Sequence, residues 1–156
     1  MRRKHRTEKQ YEPDLVYKNP EVTRFINYLM KDGEKSVARQ VFYKAMNIIE
    51  EQSQQDPLKV FELAVANTTP ELEITTRRIG GANYQIPRPV PEFRKTTLAF
   101  KWLIAVSRSK KGKSMAARLA EEIINASKGE GSAVKKKLDT ERMAEANRAF
   151  ASMLKK

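Results

Sequence analysis

The chain has 156 residues, the length of one ordinary domain, and 40% of them are hydrophobic, enough for a packed core. Its formal net charge of +12 points to a polyanionic partner: RNA, DNA or an anionic membrane face. The absence of cysteine excludes a disulfide framework and a thiolate metal site, and no apolar run approaches the ~20 residues of a membrane helix.

Residues 1–19 are polar, basic and aperiodic, and are expected to form an extended arm. No apolar stretch follows Met1–Arg6, and Glu8, Glu12 and Asp14 come early, so neither a signal peptide nor a transit peptide is expected and the chain should work where it is made. Asn19-Pro20 opens a first helix with Val22, Phe25, Ile26, Leu29 and Met30 on one face, closed by Asp32-Gly33. A second helix presents Val37, Val41, Ala45, Ile48 and Ile49. Asp56-Pro57 starts a third, with Leu58, Phe61, Ala64 and Val65 inward, ending at Thr69-Pro70.

The period then changes. Leu72–Ile79 is rich in β-branched residues and partly alternates, the mark of a strand. Gly80-Gly81 supplies the positive φ of a tight turn, and Tyr84-Gln85-Ile86 begins the return strand. Pro87, Pro89 and Pro91 lack the N–H a central strand needs, so a two-stranded ribbon over 72–90 is expected to project from a helical body. Helices resume with Leu98, Ala99, Trp102, Leu103, Ala105 and Val106 inward, then a short basic loop, Ser107–Lys113. Ser114 should cap a fifth helix with Met115, Leu119, Ala120, Ile123 and Ile124 inward. Ser132 should cap a sixth, running to about Phe150 on a thin stripe of Val134, Leu138, Ala146 and Phe150. The predicted fold is mainly α: one domain over 1–156, a bundle of about six helices, a protruding ribbon between the third and fourth, and a basic N-terminal arm.

Charge is polarised along this order. Residues 32–75 hold eight acids and four bases; residues 77–118 hold eleven bases and one acid; the first ten residues add five bases and Glu8. The basic set falls on elements that must project: Arg2, Arg3, Lys4, Arg6 and Lys9 in the arm, Arg77, Arg78 and Arg88 in the ribbon, Arg94, Lys95 and Lys101 beyond it, and Arg108, Lys110, Lys111, Lys113 and Arg118 around the loop. Lys135, Lys136 and Lys137 form a fourth cluster. Arginine's planar fork takes two phosphate oxygens or a base edge. Tyr84 near the ribbon tip is placed to stack on a base and equally well to pack across the ribbon.

Nothing in the sequence assembles a catalytic constellation. The one histidine, His5, lies in the arm, whereas a general base needs fixed geometry. No metal-ligand spacing is evident. Gly112-Lys113-Ser114 mimics the end of a phosphate loop, but position 107 is Ser and the preceding segment reads as a helix. Glu121-Glu122 reads as part of an exposed helix face. Three classes compete for this pattern: an RNA-binding scaffold, a DNA-architectural protein wedging its proline ribbon into a minor groove, and an RNA-modifying enzyme, which would need a pocket of convergent polar groups. The first fits best.

Four stretches carry a likeness to a known family: Phe25–Lys35, Arg77–Pro87, Met115–Glu122 and Met143–Phe150. On them the chain resembles, over nearly its whole length, the bacterial-type small-subunit ribosomal protein seven family. The resemblance implies a structural constituent of the ribosome, without enzyme activity, cofactor, metal, small-molecule substrate or membrane partner. It implies binding to the 3′ major domain of small-subunit ribosomal RNA, nucleation of subunit-head assembly, and a place near the decoding centre in the ribosomes of a bacterial cytoplasm or an equivalent organellar compartment. Contacts with small-subunit proteins nine and eleven are also implied. By position, the arm, Arg77, Arg78, Arg94, Lys95, Lys110 and Lys113 would meet ribosomal RNA; Lys35 and Met115 join that set. Ala82, Asn83, Tyr84 and Gln85 would lie near exit-site transfer RNA and the message. The chain departs from the family in Arg88-Pro89-Val90-Pro91, where a valine-rich return strand is common, and in its C-terminus, which lacks the expected aromatic and arginine ending.

Overall fold

A computed structural model describes residues 11–155. The expected contact residues Arg2, Arg3, Lys4, Arg6 and Lys9, together with His5, lie outside the described residues.

Helix α1, Pro20–Leu29, starts where Asn19 accepts the Glu21 N–H at 2.8 Å, with Pro at its first position. It ends before Asp32 and Gly33, which take φ of 53° and 86°. Helix α2, Lys35–Ser53, follows. In helix α3, Pro57–Thr68, Asp56 caps the Leu58 N–H at 3.0 Å. Strands β1, Leu72–Ile79, and β2, Ala82–Pro89, pair antiparallel, with Ile79 opposite Ala82 and Leu72 opposite Pro89. Gly80 and Gly81 turn the chain between them at φ of 57° and 92°, the pair of positive values that a two-residue hairpin matched to strand twist requires. Among the described residues these two strands form the one sheet. Three helices complete the body: α4, Glu92–Ser109; α5, Met115–Ser127, capped by the Ser114 hydroxyl on the Ala117 N–H; and α6, Ser132–Ala146. The six helices and the ribbon between the third and fourth match the expected fold.

The core is aromatic at its centre. Phe25 of α1, Phe42 of α2, Phe61 of α3 and Phe100 of α4 are fully buried. Phe25 meets Phe61 and Phe100 at ring-centroid distances of 5.1 Å each and Phe42 at 5.6 Å, the edge-on and tilted arrangements that the ring quadrupole favours. Leu103, Leu119 and Ile123 extend this core beneath α5.

Several expectations are corrected. The buried face of α2 is Ala38, Phe42, Ala45, Met46 and Ile49, one position on from the predicted stripe, and Val37 is 53% exposed. In α4, Phe100 and Ile104 are core residues that the predicted stripe omitted, while Ala105 is exposed. Helix α6 stops at Ala146, and a 3-10 helix over Arg148–Lys155 replaces its last turns. There the inward residues are Ala133, Val134 and Ala144, and Leu138 is exposed. The cap of α6 is Gly131, not Ser132.

Residues 11–19 do not simply extend away. Asp14, 6% exposed, accepts the N–H groups of Val16 and Tyr17 and, at 2.8 Å, the Tyr43 hydroxyl of α2. A turn closes there, and Lys18 at φ 50° feeds the chain into α1. Only the first ten residues retain the expectation of an arm.

Phe25→Ala should cost about 3–5 kcal/mol, read from chemical denaturation, because its ring meets one ring from each of the other three helices. Burial, then the bond to Asp14, push the Tyr43 phenol up to about 12. A raised folded-state value means that this contribution is complete below the ordinary tyrosine value of about 10 and is lost as pH rises through about 12. An ultraviolet titration should show the Tyr43 phenol ionising late, and Asp14→Asn should bring it back towards the ordinary value.

Candidate nucleic-acid interface

The ribbon is built to hold one direction. Counting outward from Gly80-Gly81 places Glu73 opposite Arg88. Glu73 is 7% exposed. One of its oxygens accepts from Arg88 and the other accepts from Arg94 of α4 at 2.7 Å. Burial alone would raise this carboxyl, but the two guanidinium partners outweigh it and hold it below the ordinary glutamate range. One carboxylate thus ties both strands to the first turn of α4. Lys95 adds a second tie, to Glu71 at 2.9 Å and Glu92 at 2.8 Å; bonds to Glu92 and Glu71 raise its pKa. The ribbon base is further packed by Ile86 and Val90, both buried, and α6 lies along β1.

Beyond this base the ribbon carries its basic side chains outward. Arg77 and Arg78 are exposed, on opposite faces, across from Tyr84 and Asn83. Ala82, Asn83 and Gln85 at the tip are exposed. Tyr84 is half-buried, and its ring meets Phe150 of the 3-10 helix at 5.5 Å. It therefore packs on the C-terminal segment, a third placement beside the two that the sequence suggested.

The loop between α4 and α5 is organised by acids of α5. Lys110 sits 2.9 Å from Glu122 and 3.3 Å from Glu121, and Lys113 is 3.0 Å from Glu121. Burial draws the Lys110 pKa down, yet pairing with Glu122 and Glu121 more than reverses this and raises it. Lys113 and Lys110 lower that of Glu121. Arg118 donates to the carbonyls of Lys110 and Arg108, closing the loop from behind. Arg108 is itself held by the Leu29 carbonyl at 3.0 Å.

Glu122 corrects the reading of Glu121-Glu122 as an exposed pair, since it is 1% exposed. Besides Lys110, it accepts the Ala133 N–H at 2.8 Å, capping α6 from another helix. Gly131 permits the approach: its φ is 94°, and a Cβ there would come within 3.0 Å of Glu122 Oε1.

The predicted cations thus divide. Lys35, Arg77, Arg78, Lys101, Arg108, Lys111 and Lys113 are exposed. Arg94, Lys95, Lys110 and Arg118 are half-buried with donors engaged by acids or carbonyls of the chain itself. Met115 is half-buried at the start of α5. Of the fourth cluster, Lys135 and Lys136 are exposed, while Lys137 donates to the Asn67 carbonyl at 3.1 Å. Sequence reasoning missed the two organising acids, Glu73 and Glu122. The hairpin register, readable from the Gly-Gly turn, was the signal available for Glu73; Glu122 had none.

Among the described residues no three His, Asp or Glu side chains gather as a metal-binding group, and no helix is long and apolar enough to cross a membrane. A family model described as ribosomal protein S7p/S5e matches residues 1–148. The chain is 49% identical over 152 residues to the small ribosomal subunit protein uS7 of Thermus thermophilus, covering 97% of each chain. To that of Thermotoga maritima it is 50% identical over 151 residues, again 97% of each. To that of Mycoplasmopsis agalactiae it is 51% identical over 138 residues, 88% of each.

Arg94 and Arg88 stabilise Glu73 as the carboxylate. Its contribution is present above the ordinary glutamate range and is lost as pH falls through the lower folded-state value. Protection of the β1 and β2 amides, taken against their intrinsic exchange rates, should therefore fall in acid before that of the helices. Glu73→Gln should show the lower protection already at neutral pH and little further acid dependence.

Proposed function

Because this chain belongs to the ribosomal protein S7p/S5e family, we propose that it is an RNA-binding structural constituent of the small ribosomal subunit that binds the 3′ major domain of the subunit's RNA and nucleates assembly of its head. The observation that carries the mechanism is a basic ribbon whose base is locked to the body through Glu73, Arg88 and Arg94. A rigid projection with exposed Arg77 and Arg78 meets phosphates at a set angle to the helical body. A protein that fixes the relative direction of RNA helices needs that property, since phosphate contacts set register and orientation.

Capture is electrostatic first. Arg77, Arg78, Lys101, Lys111 and Lys113, together with Lys35 and Arg108, displace condensed counterions from RNA. Arg94, Lys95, Lys110 and Arg118 act mainly by shaping the ribbon base and the loop while adding to the positive field. Arg2, Arg3, Lys4, Arg6 and Lys9 extend the contact. The tip, Ala82 to Gln85, is placed towards exit-site transfer RNA and the message, near the decoding centre. The acid-rich stretch of the first half suits protein neighbours, small-subunit proteins nine and eleven. In this reading the protein is a scaffold and catalyses nothing. Its place in the cell is the small subunit of bacterial ribosomes or their organellar equivalent.

Sedimentation of cell extract should carry the protein with the small subunit, and treatment with ribonuclease should release it. The double variant Arg77→Ala/Arg78→Ala should bind small-subunit RNA more weakly, with the slope of log K against log salt reduced by about one to two units. An unchanged slope would remove the ribbon from the interface, and a preference for duplex DNA over folded RNA would remove the scaffold reading itself.

A further inference from the structure

Residues 11–19 run over the negative side of the body. Asp14 accepts the Tyr43 hydroxyl of α2, and the Tyr17 ring meets Phe42 and Tyr43 at centroid distances of 6.4 and 6.3 Å. Asn19 donates to Glu62 of α3 at 2.9 Å. Burial, then the charges of Glu50, Asp14 and Asp56, raise the Tyr17 pKa, so this turn lies in the field of those acids. Glu50, Glu51, Asp56 and Glu62 are all exposed. Lys18, Lys44 and Lys59 are exposed on the same segments, yet among the described residues none of the three forms an ion pair with these acids. Within the turn, Leu15 and Val16 stand 82% and 62% exposed. The face thus offers unanswered carboxylates beside a small apolar patch.

We propose that in the RNA-free protein the N-terminal segment Met1–Gln10 folds back onto this acidic face, and that RNA displaces it. The segment carries Arg2, Arg3, Lys4, Arg6 and Lys9 against Glu8 alone. It joins the body next to the turn that Asp14 holds on α2. Ten residues span up to ~35 Å, whereas the seven residues from Tyr43 to Glu50 occupy about 10 Å of helix, so the acids are within reach. Lysine and arginine lay their aliphatic stems on apolar surface and keep the charged head free, which suits Leu15 and Val16 with carboxylates at their margin. A basic segment of another protein has the same chemistry, but the chain's own segment is tethered at an effective concentration on the order of millimolar. Exposed ion pairs are individually weak and are screened by salt, so a polyanion can compete this hold away. Release by RNA rests on the RNA-binding reading; docking in the free protein does not. The consequence is selectivity. Weak, unstructured RNA meets a protein whose arm is occupied, while a site that also engages the ribbon and the loop displaces the arm and uncovers the acidic face for protein neighbours.

The test uses the full-length protein. A zero-length carbodiimide, which joins an amine to a carboxylate in contact with it, should link Lys4 or Lys9 to Glu50, Glu51, Asp56 or Glu62 within the monomer at low salt. The links should vanish at about 0.5 M salt, where screening is short-ranged, and on addition of small-subunit RNA. Glu50→Gln/Glu51→Gln removes two acids from the C-terminal end of α2, where negative charge opposes the helix dipole, so the fold is not weakened. This variant should bind oligouridine roughly 3- to 10-fold more tightly at low salt, because the arm is then free more of the time. In a chain that also carries Lys4→Gln, Arg6→Gln and Lys9→Gln, the same two substitutions should change that affinity much less. Equal gains with and without the arm charges report a general change of field and overturn the proposal. Arm links that are absent, confined to other carboxylates or to dimers, or retained under saturating RNA overturn it as well. Binding of small-subunit protein nine to the RNA-free chain, lost in Glu50→Gln/Glu51→Gln and without arm links, assigns the face to a neighbour and also overturns it. Arm links in a protein that fails to bind small-subunit RNA would instead sustain the docking and defeat the functional reading.

Discussion

Four phenylalanine rings, one from each of the first four helices, set the geometry from which everything else is measured. Phe25 touches the other three, so α1 to α4 cannot shift independently without opening a void at their common centre. The ribbon leaves from the end of α3 and returns into the start of α4. Its two ends are therefore anchored to helices already fixed against each other. The carboxylate of Glu73 then converts an anchored ribbon into a directed one, because its two oxygens bind side chains from β2 and α4.

Two buried carboxylates do this organising in a chain that is otherwise strongly basic. An unpaired buried charge costs several kcal/mol, whereas one with well-placed donors is tolerated and fixes geometry. Glu73 and Glu122 each draw cations inward, and Glu122 also closes the free end of α6. The positive residues consequently serve in two ways. Some hold the ribbon base and the loop in position; others are left exposed on those same elements, and these are the ones proposed to meet the partner. Removing a cation of the first kind is expected to disturb shape, and removing one of the second kind to disturb affinity.

The helices and the ribbon were legible because their signals are local. Asn19-Pro20, Asp56-Pro57 and Ser114 marked real caps, and Gly80-Gly81 marked the turn together with the register that follows from it. The α2 face was displaced because Val37 and Val41 are as apolar as core residues, while the true face relies on Ala38, Phe42 and Met46. Periodicity reports apolar surface without saying who covers it. The division of the cations was illegible for a different reason. Arg94 and Lys110 look like Arg78 and Lys111 in sequence, and only the meeting of β1 with α4, or of the loop with α5, separates them. The C-terminal 3-10 helix escaped notice because it follows a helix of weak apolar pattern and is held from outside, by the ribbon.

The Tyr84–Phe150 contact has a consequence in time. A chain made from its N-terminus brings out the ribbon well before the segment that carries Phe150, with α4, α5 and α6 emerging between them. The hairpin and its Glu73 lock can form early from residues near in sequence, but the support beneath the tip must wait for those three helices to be synthesised and packed. A nascent chain thus passes through a stage in which the basic arm of the hairpin is present and its tip is unsupported. Early encounters with RNA made during that stage would engage the ribbon before its final setting, and the last helices to fold would complete the fit.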